Sequence, residues 1–133
     1  MKKLISAKSA GNIVLILFGL LVIFHLLILL NLLPSNIVWG GGQVGTSISN
    51  QRTLVIISLI FNVLFAIVVA AKIGYLKAFR FTRTINFLLW LIFAYLLLNT
   101  VGNLVSSSSV ESLVFTPITL VAALLVLRLA IEK

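Results

Sequence analysis

The chain has 133 residues, of which 62% are hydrophobic and only 9% charged, with a formal net charge of +8 and no cysteine. A soluble domain of this size has too few charged groups to cover that much apolar surface, and the missing thiols exclude disulfides, thiolate nucleophiles, cysteine redox pairs and thiolate metal sites. The absence of aspartate removes a Ser–His–Asp set, and Gly40–Gly42 lacks the Lys-Ser/Thr that follows the glycines of a phosphate-binding loop.

Four apolar runs, at about 13–33, 54–76, 85–104 and 113–131, fill most of the chain. Each is long enough to cross a ~30 Å hydrocarbon core as a helix rising ~1.5 Å per residue. The expected fold is all-α: a four-helix transmembrane bundle forming one domain over residues 1–133.

The first run follows Lys2, Lys3 and Lys8. It is longer than the apolar core of a signal peptide, and no small-x-small cleavage site follows, so it reads as an uncleaved helix. Pro34 is its expected stop, because proline cannot continue the hydrogen-bond ladder. The next loop sets β-forming residues, Ile37–Trp39 and Val44–Ile48, on either side of the Gly40–Gly42 run. Two readings fit: a short β-hairpin over the mouth of the bundle, or a glycine loop with Trp39 in the interfacial belt.

The second run extends through Gly74 to Leu76, and Lys77–Arg83 then alternates basic with apolar or aromatic residues. That alternation suits a snorkelling rim more than a dedicated lipid-binding patch. The third run ends near Asn103-Leu104, with Ser106–Ser109 as a linker. Thr116-Pro117 fits an N-cap followed by proline at the first helical position of a short last helix, or a proline in the first turn of a longer one.

The charges set an expected orientation. Lys2, Lys3, Lys8, Lys72, Lys77, Arg80, Arg83, Arg128 and Lys133 fall on one side, and Arg52 alone on the other. The positive-inside rule then makes both termini cytoplasmic and the chain a multi-pass protein of the plasma (inner) membrane. Anionic lipid headgroups on the cytoplasmic side are the expected partners of these cations. No basic segment is long enough to dock nucleic acid. Arg128, one turn from the end, is expected to snorkel to the surface.

Polar side chains within spans are costly and face protein or a wet cavity. Ser58, Asn62, Ala66 and Ala70 recur every four residues and make a small-residue stripe for close helix packing. In the expected orientation His25 falls just outside the midplane, Asn62 and Tyr95 near the middle of their spans and Asn99 outside it, so the polar groups are biased toward the outer leaflet. They are either interhelical hydrogen-bond glue or the lining of a neutral polar pocket capped by Trp39. A lone histidine without an intramembrane carboxylate is no metal site, and no cofactor is expected. Arg52 and Glu111 are the only charges on the outer side, and a surface ion pair between them is expected to contribute ~0–1 kcal/mol. Both glutamates lie at span edges, so the intrahelical carboxylate of a proton-coupled antiporter is missing.

The stretches Leu33–Gly41, Leu98–Asn103 and Phe115–Leu120 together resemble small bacterial four-helix integral membrane proteins of unknown function. The resemblance spans most of the chain. It implies no activity and no site, only that the Trp39 loop, the Asn99 region and the Thr116-Pro117 turn are structured. The expected function is non-enzymatic: a small-ligand or lipid binder, or an accessory or scaffold subunit. The alternative is a channel or small-solute transporter built as a homo-oligomer, and another membrane protein is also a compatible partner. An enzyme acting through His25 is a third, weaker reading.

Overall fold

The computed structural model describes residues 5–42, 48–76 and 82–132. Among these it is all-helical: α1 (Ala7–Leu29), a 3-10 turn (Ser35–Ile37), the one-turn α2 (Trp39–Gly42), α3 (Ile48–Lys72), α4 (Thr82–Leu104), a π turn (Glu111–Phe115) and α5 (Thr116–Ala130). Four helical segments, Ala7–Leu29, Asn50–Lys72, Thr82–Leu104 and Glu111–Ala130, are long and apolar enough to cross a membrane. At 23 residues, α1 and α4 span about 35 Å.

Their surfaces identify the solvent they need. Only 22%, 22%, 28% and 39% of these segments is buried within the protein. Ile16, Leu98, Val105 and Leu113 are each more than 60% exposed. In water such a belt would be strongly unfavourable; in hydrocarbon it costs nothing.

Around the bundle α1 lies between α3 and α5, and α4 lies between α5 and α3. The α4–α5 and α1–α3 pairs pack most extensively, and α3–α4 is the loosest adjacent seam. The first and last described residues, Ile5 and Glu132, lie at one end, here the terminal end, where Arg128 bonds to both. The opposite, loop end carries α2 and the serine-rich connection.

The helix ends differ from the expected ones, for local reasons. Ser6 caps α1 by accepting the Ser9 N–H at 3.0 Å, so the helix begins earlier than its apolar run. It stops before Pro34. Asn31 takes a left-handed φ of 58°, and the Asn31 and Leu32 N–H groups close back on the Ile28 and Leu27 carbonyls, which is a Schellman motif. Helix α3 does not continue to Leu76. Gly74, at φ 86°, lets the Gly74 and Tyr75 N–H groups turn back onto Ala71 and Ala70 in the same motif.

The last span follows the longer of the two readings at Thr116-Pro117. Pro117 lies in the first turn of α5, and Glu111–Phe115 precede it as a π turn. The Thr116 N–H and hydroxyl both donate to the Glu111 carbonyl. Among the described residues there is no strand. The first arm of the expected hairpin is a 3-10 turn leading into α2, and 44–47 of the second arm lie outside the described residues. The rim residues 77–81 lie outside them too.

Two apolar cores fill the bundle. The larger, toward the terminal end, joins Val14 and Phe18 of α1, Val69 of α3, Leu89 and Ile92 of α4, and Val126 and Leu129 of α5. The smaller joins Ile28, Val38 and Val55, with Phe24 and Phe115 against them. Below the larger core the helices are tied by polar bonds. Lys72 Nζ donates to Asn86 Oδ1 at 2.6 Å and to the Glu132 carbonyl at 2.7 Å. Arg128 does not snorkel. It is 3% exposed, donates from Nε to the Ile5 carbonyl at 3.0 Å and pairs with Glu132 at 2.7 Å, so its charge joins the two ends of the chain.

Candidate functional site

Between the two cores, toward the loop end, the helices enclose a cavity of about 280 Å³. His25 of α1, Asn62 of α3, Tyr95 and Asn99 of α4, and Trp39 of α2 all border it. The residues singled out from sequence therefore meet in one place. Phe24, Phe61, Phe65 and Phe115 add aromatic rings to the walls. Phe61 stacks on Tyr95 with centroids 5.8 Å apart, Phe65 meets Tyr95 edge-on at 5.2 Å, and Phe24 meets Phe115 at 4.9 Å. Contacts of this kind hold aromatic rings in fixed relative orientations.

The polar groups divide into two kinds. Thr100, Asn103 and Thr119 do serve as interhelical glue: the Thr100 and Thr119 hydroxyls share a bond at 2.9 Å, and Asn103 Nδ2 donates to Thr119 Oγ1 at 3.5 Å. His25 and Asn62 do not. Asn62 Nδ2 donates to the Ser58 carbonyl of its own helix at 2.9 Å, which leaves Oδ1 facing away from that bond. His25 Nδ1 lies 2.6 Å from the Leu21 carbonyl, which places the ring proton on Nδ1 and leaves Nε2 as an acceptor in the neutral imidazole. Among the described residues, the Tyr95 hydroxyl and the Asn99 amide have no hydrogen-bond partner. The small-residue stripe is divided in the same way. Ser58 and Asn62 border the cavity, whereas Ala66 packs against the larger core and Ala70 is half-buried.

The roof is built around Glu111. The sequence suggested that Glu111 pairs with Arg52, and the structure shows otherwise. Arg52 reaches the end of α1 and donates to the Leu29 carbonyl at 3.1 Å, a bond that satisfies a helix C-terminus. Glu111 is 7% exposed and borders the cavity. Its carboxylate accepts the Trp39 N–H at 2.6 Å, the Gly40 N–H at 2.8 Å and the Ser106 hydroxyl. Consecutive backbone N–H groups pointing at one carboxylate form an anion nest. Trp39 reaches it by adopting φ 55°, a left-handed conformation uncommon outside glycine, with Gly40 at φ 78° beside it.

The serines expected to be a plain linker complete the roof. Ser107 Oγ donates to the Gly40 carbonyl at 2.6 Å, and Ser108 Oγ to the Ile37 carbonyl at 2.9 Å. Together with Glu111 they join the two loop-end connections over the cavity. Among the described residues, the roof thus holds a carboxylate with no cation paired to it. The one sequence signal for this was the presence of a lone acid next to a serine run.

Among the described residues no three His, Cys, Asp or Glu side chains gather as a metal site would require. The fold and cavity define a class: an all-α chain with four membrane-length helices around a polar–aromatic cavity at one end. No family model matches the chain, and neither a curated protein nor a solved structure shows significant similarity to it.

Proposed function

We propose that the chain is a non-enzymatic multi-pass protein of the plasma membrane that binds a small amphipathic molecule in the cavity beneath Trp39. One observation carries the reading. Residues from α1, α3 and α4 converge on one cavity of about 280 Å³ while the polar atoms of Tyr95 and Asn99 are left without partners. A few convergent polar groups on an otherwise apolar and aromatic wall is the usual composition of a ligand site. No buried side-chain polar atom among the described residues lacks a partner, so Tyr95 and Asn99 offer their polar groups at an accessible part of the wall.

Access from the membrane is favoured by the loose α3–α4 seam, where Phe61 and Asn99 are both exposed. The orientation with the terminal end in the cytoplasm is supported by Lys8, Lys72, Arg83 and Arg128 at that end, against Arg52 at the other. Anionic headgroups are the natural neighbours of that basic rim.

Gly102 provides the test. It borders the cavity, and a Cβ added there meets nothing within 4 Å. Gly102→Leu therefore has room to grow into the site, and it improves helix propensity. The wild-type protein, extracted mildly and analysed by native mass spectrometry, is expected to carry a bound small molecule that the Gly102→Leu protein, equally stable, has lost. Equal occupancy in both proteins would refute the proposed site.

A further inference from the structure

We propose that the cavity selects a small monovalent organic cation, of the alkylammonium class, and does so through Glu111 and the surrounding ring faces. The inference rests on the ligand-binding reading of the same cavity and specifies its chemistry.

Three observations lead there. First, the Glu111 oxygens accept from three donors and donate to none, which is the behaviour of an ionised carboxylate. These bonds satisfy its lone pairs and leave its charge uncancelled. Among the described residues, Arg52 is the one basic residue at this end of the bundle, and it is engaged with Leu29. The one described ion pair is at the opposite end, between Arg128 and Glu132. A buried charge ordinarily has an opposite charge beside it, and here that position faces the cavity.

Second, the walls below the carboxylate are aromatic. Phe24, Phe61, Tyr95 and Phe115 all border the space, and ring faces attract cations, most strongly where water is excluded. Third, no cation is positioned to receive an anionic ligand. A phosphate or carboxylate headgroup would meet only Glu111 and neutral dipoles, so like-charge repulsion and desolvation both oppose it.

The unpartnered Tyr95 hydroxyl and Asn99 amide suit a ligand that also carries a hydroxyl or carbonyl. His25 and Tyr95 are the other titratable groups bordering the cavity. At pH 8 a free imidazole and a free phenol are both neutral.

A matched pair of ligands tests the assignment. Choline and 3,3-dimethylbutan-1-ol have the same shape and hydroxyl and differ in the positive charge. Binding is measured by isothermal titration at pH 8 to the full chain in phosphatidylglycerol nanodiscs, with empty nanodiscs subtracted. Choline is expected to bind roughly tenfold or more tightly than its neutral isostere, the size of one desolvated cation–π or charge contact. Tyr95→Leu is expected to weaken choline more than the neutral compound and so to remove most of that preference. Glu111→Gln is expected to abolish it.

Equal binding of the two compounds would overturn the cation assignment and leave the pocket itself standing. Binding of neither would overturn both. The wild-type comparison does not depend on any variant folding. Displacement of choline by dihexanoylphosphatidylcholine would move the assignment from a free cation to a lipid headgroup and so overturn it; no displacement is expected, because the lipid's phosphate finds no cation in the cavity.

Discussion

Glu111 organises the loop end at the scale of single residues. Removing its carboxylate leaves the Trp39 and Gly40 N–H groups without acceptors in a partly buried place, at a cost toward the lower end of the about 1–3 kcal/mol that a fully buried orphan carries. Glu111→Ala is therefore expected to loosen the roof before the bundle. Hydrogen exchange at the Trp39 and Gly40 amides is expected to accelerate by at least tenfold, with the amides of α4 and α5 unchanged; uniform acceleration everywhere would mean that Glu111 stabilises the whole fold instead. Gly74 carries a different constraint. Its φ of 86° is the turn that ends α3, and Gly74→Ala is expected to cost about 1–2 kcal/mol because a Cβ clashes with the following carbonyl in that conformation. Thermal denaturation in detergent measures it, and no loss of Tm would show that the Schellman turn is not needed.

At the scale of elements, the packing is uneven and the unevenness has consequences. Gly11 sits where α1 meets the end of α3, and an added Cβ would collide with Ile73. Gly11→Val is expected to separate these helices at the terminal end at a cost of about 1–3 kcal/mol, the usual range for overpacking a fitted contact. Leu89 is fully buried in the larger core, so Leu89→Ala is expected to cost about 2–5 kcal/mol. A comparable truncation at Leu98, 74% exposed to the surrounding lipid, is expected to change stability by less than about 1 kcal/mol, since apolar side chain and lipid tail are equivalent surroundings. Chemical denaturation in mixed micelles distinguishes the two, and equal losses would contradict the placement of Leu98 on the lipid face. The α3–α4 seam is loose for a related reason. It contributes Asn62 and Asn99 to the cavity wall, and Phe61 and Tyr95 line the same space while their rings meet across the seam.

At the scale of the whole molecule, charge and solvent decide orientation and closure. The natural chain lacks cysteine, so a single introduced thiol reports sidedness cleanly. Ser109→Cys, at an exposed loop-end position, is expected to react with a membrane-impermeant maleimide added outside intact cells, and Lys8→Cys only after permeabilisation. The reverse pattern would invert the proposed topology. Arg128 closes the opposite end by joining Ile5 and Glu132. Its buried position and the antiparallel course of the helices bring the first and last segments of the chain together.

The amino-acid sequence by itself determined the number of spans, their apolar character and the separation of basic residues to one end, because these depend on composition over tens of residues and on the solvent. It also singled out His25, Asn62, Tyr95 and Asn99, since a polar side chain within an apolar run stands out without any knowledge of its neighbours. What Glu111, Arg52, Arg128 and the serine run do was decided only by the tertiary structure. Their partners are backbone groups, some of them 71 and 72 residues away in the chain, and a carbonyl or N–H has no signature in sequence. The same reason hid the charge of the cavity. A carboxylate at the edge of a span reads as a surface group until the turn at Trp39 folds over it and excludes the water.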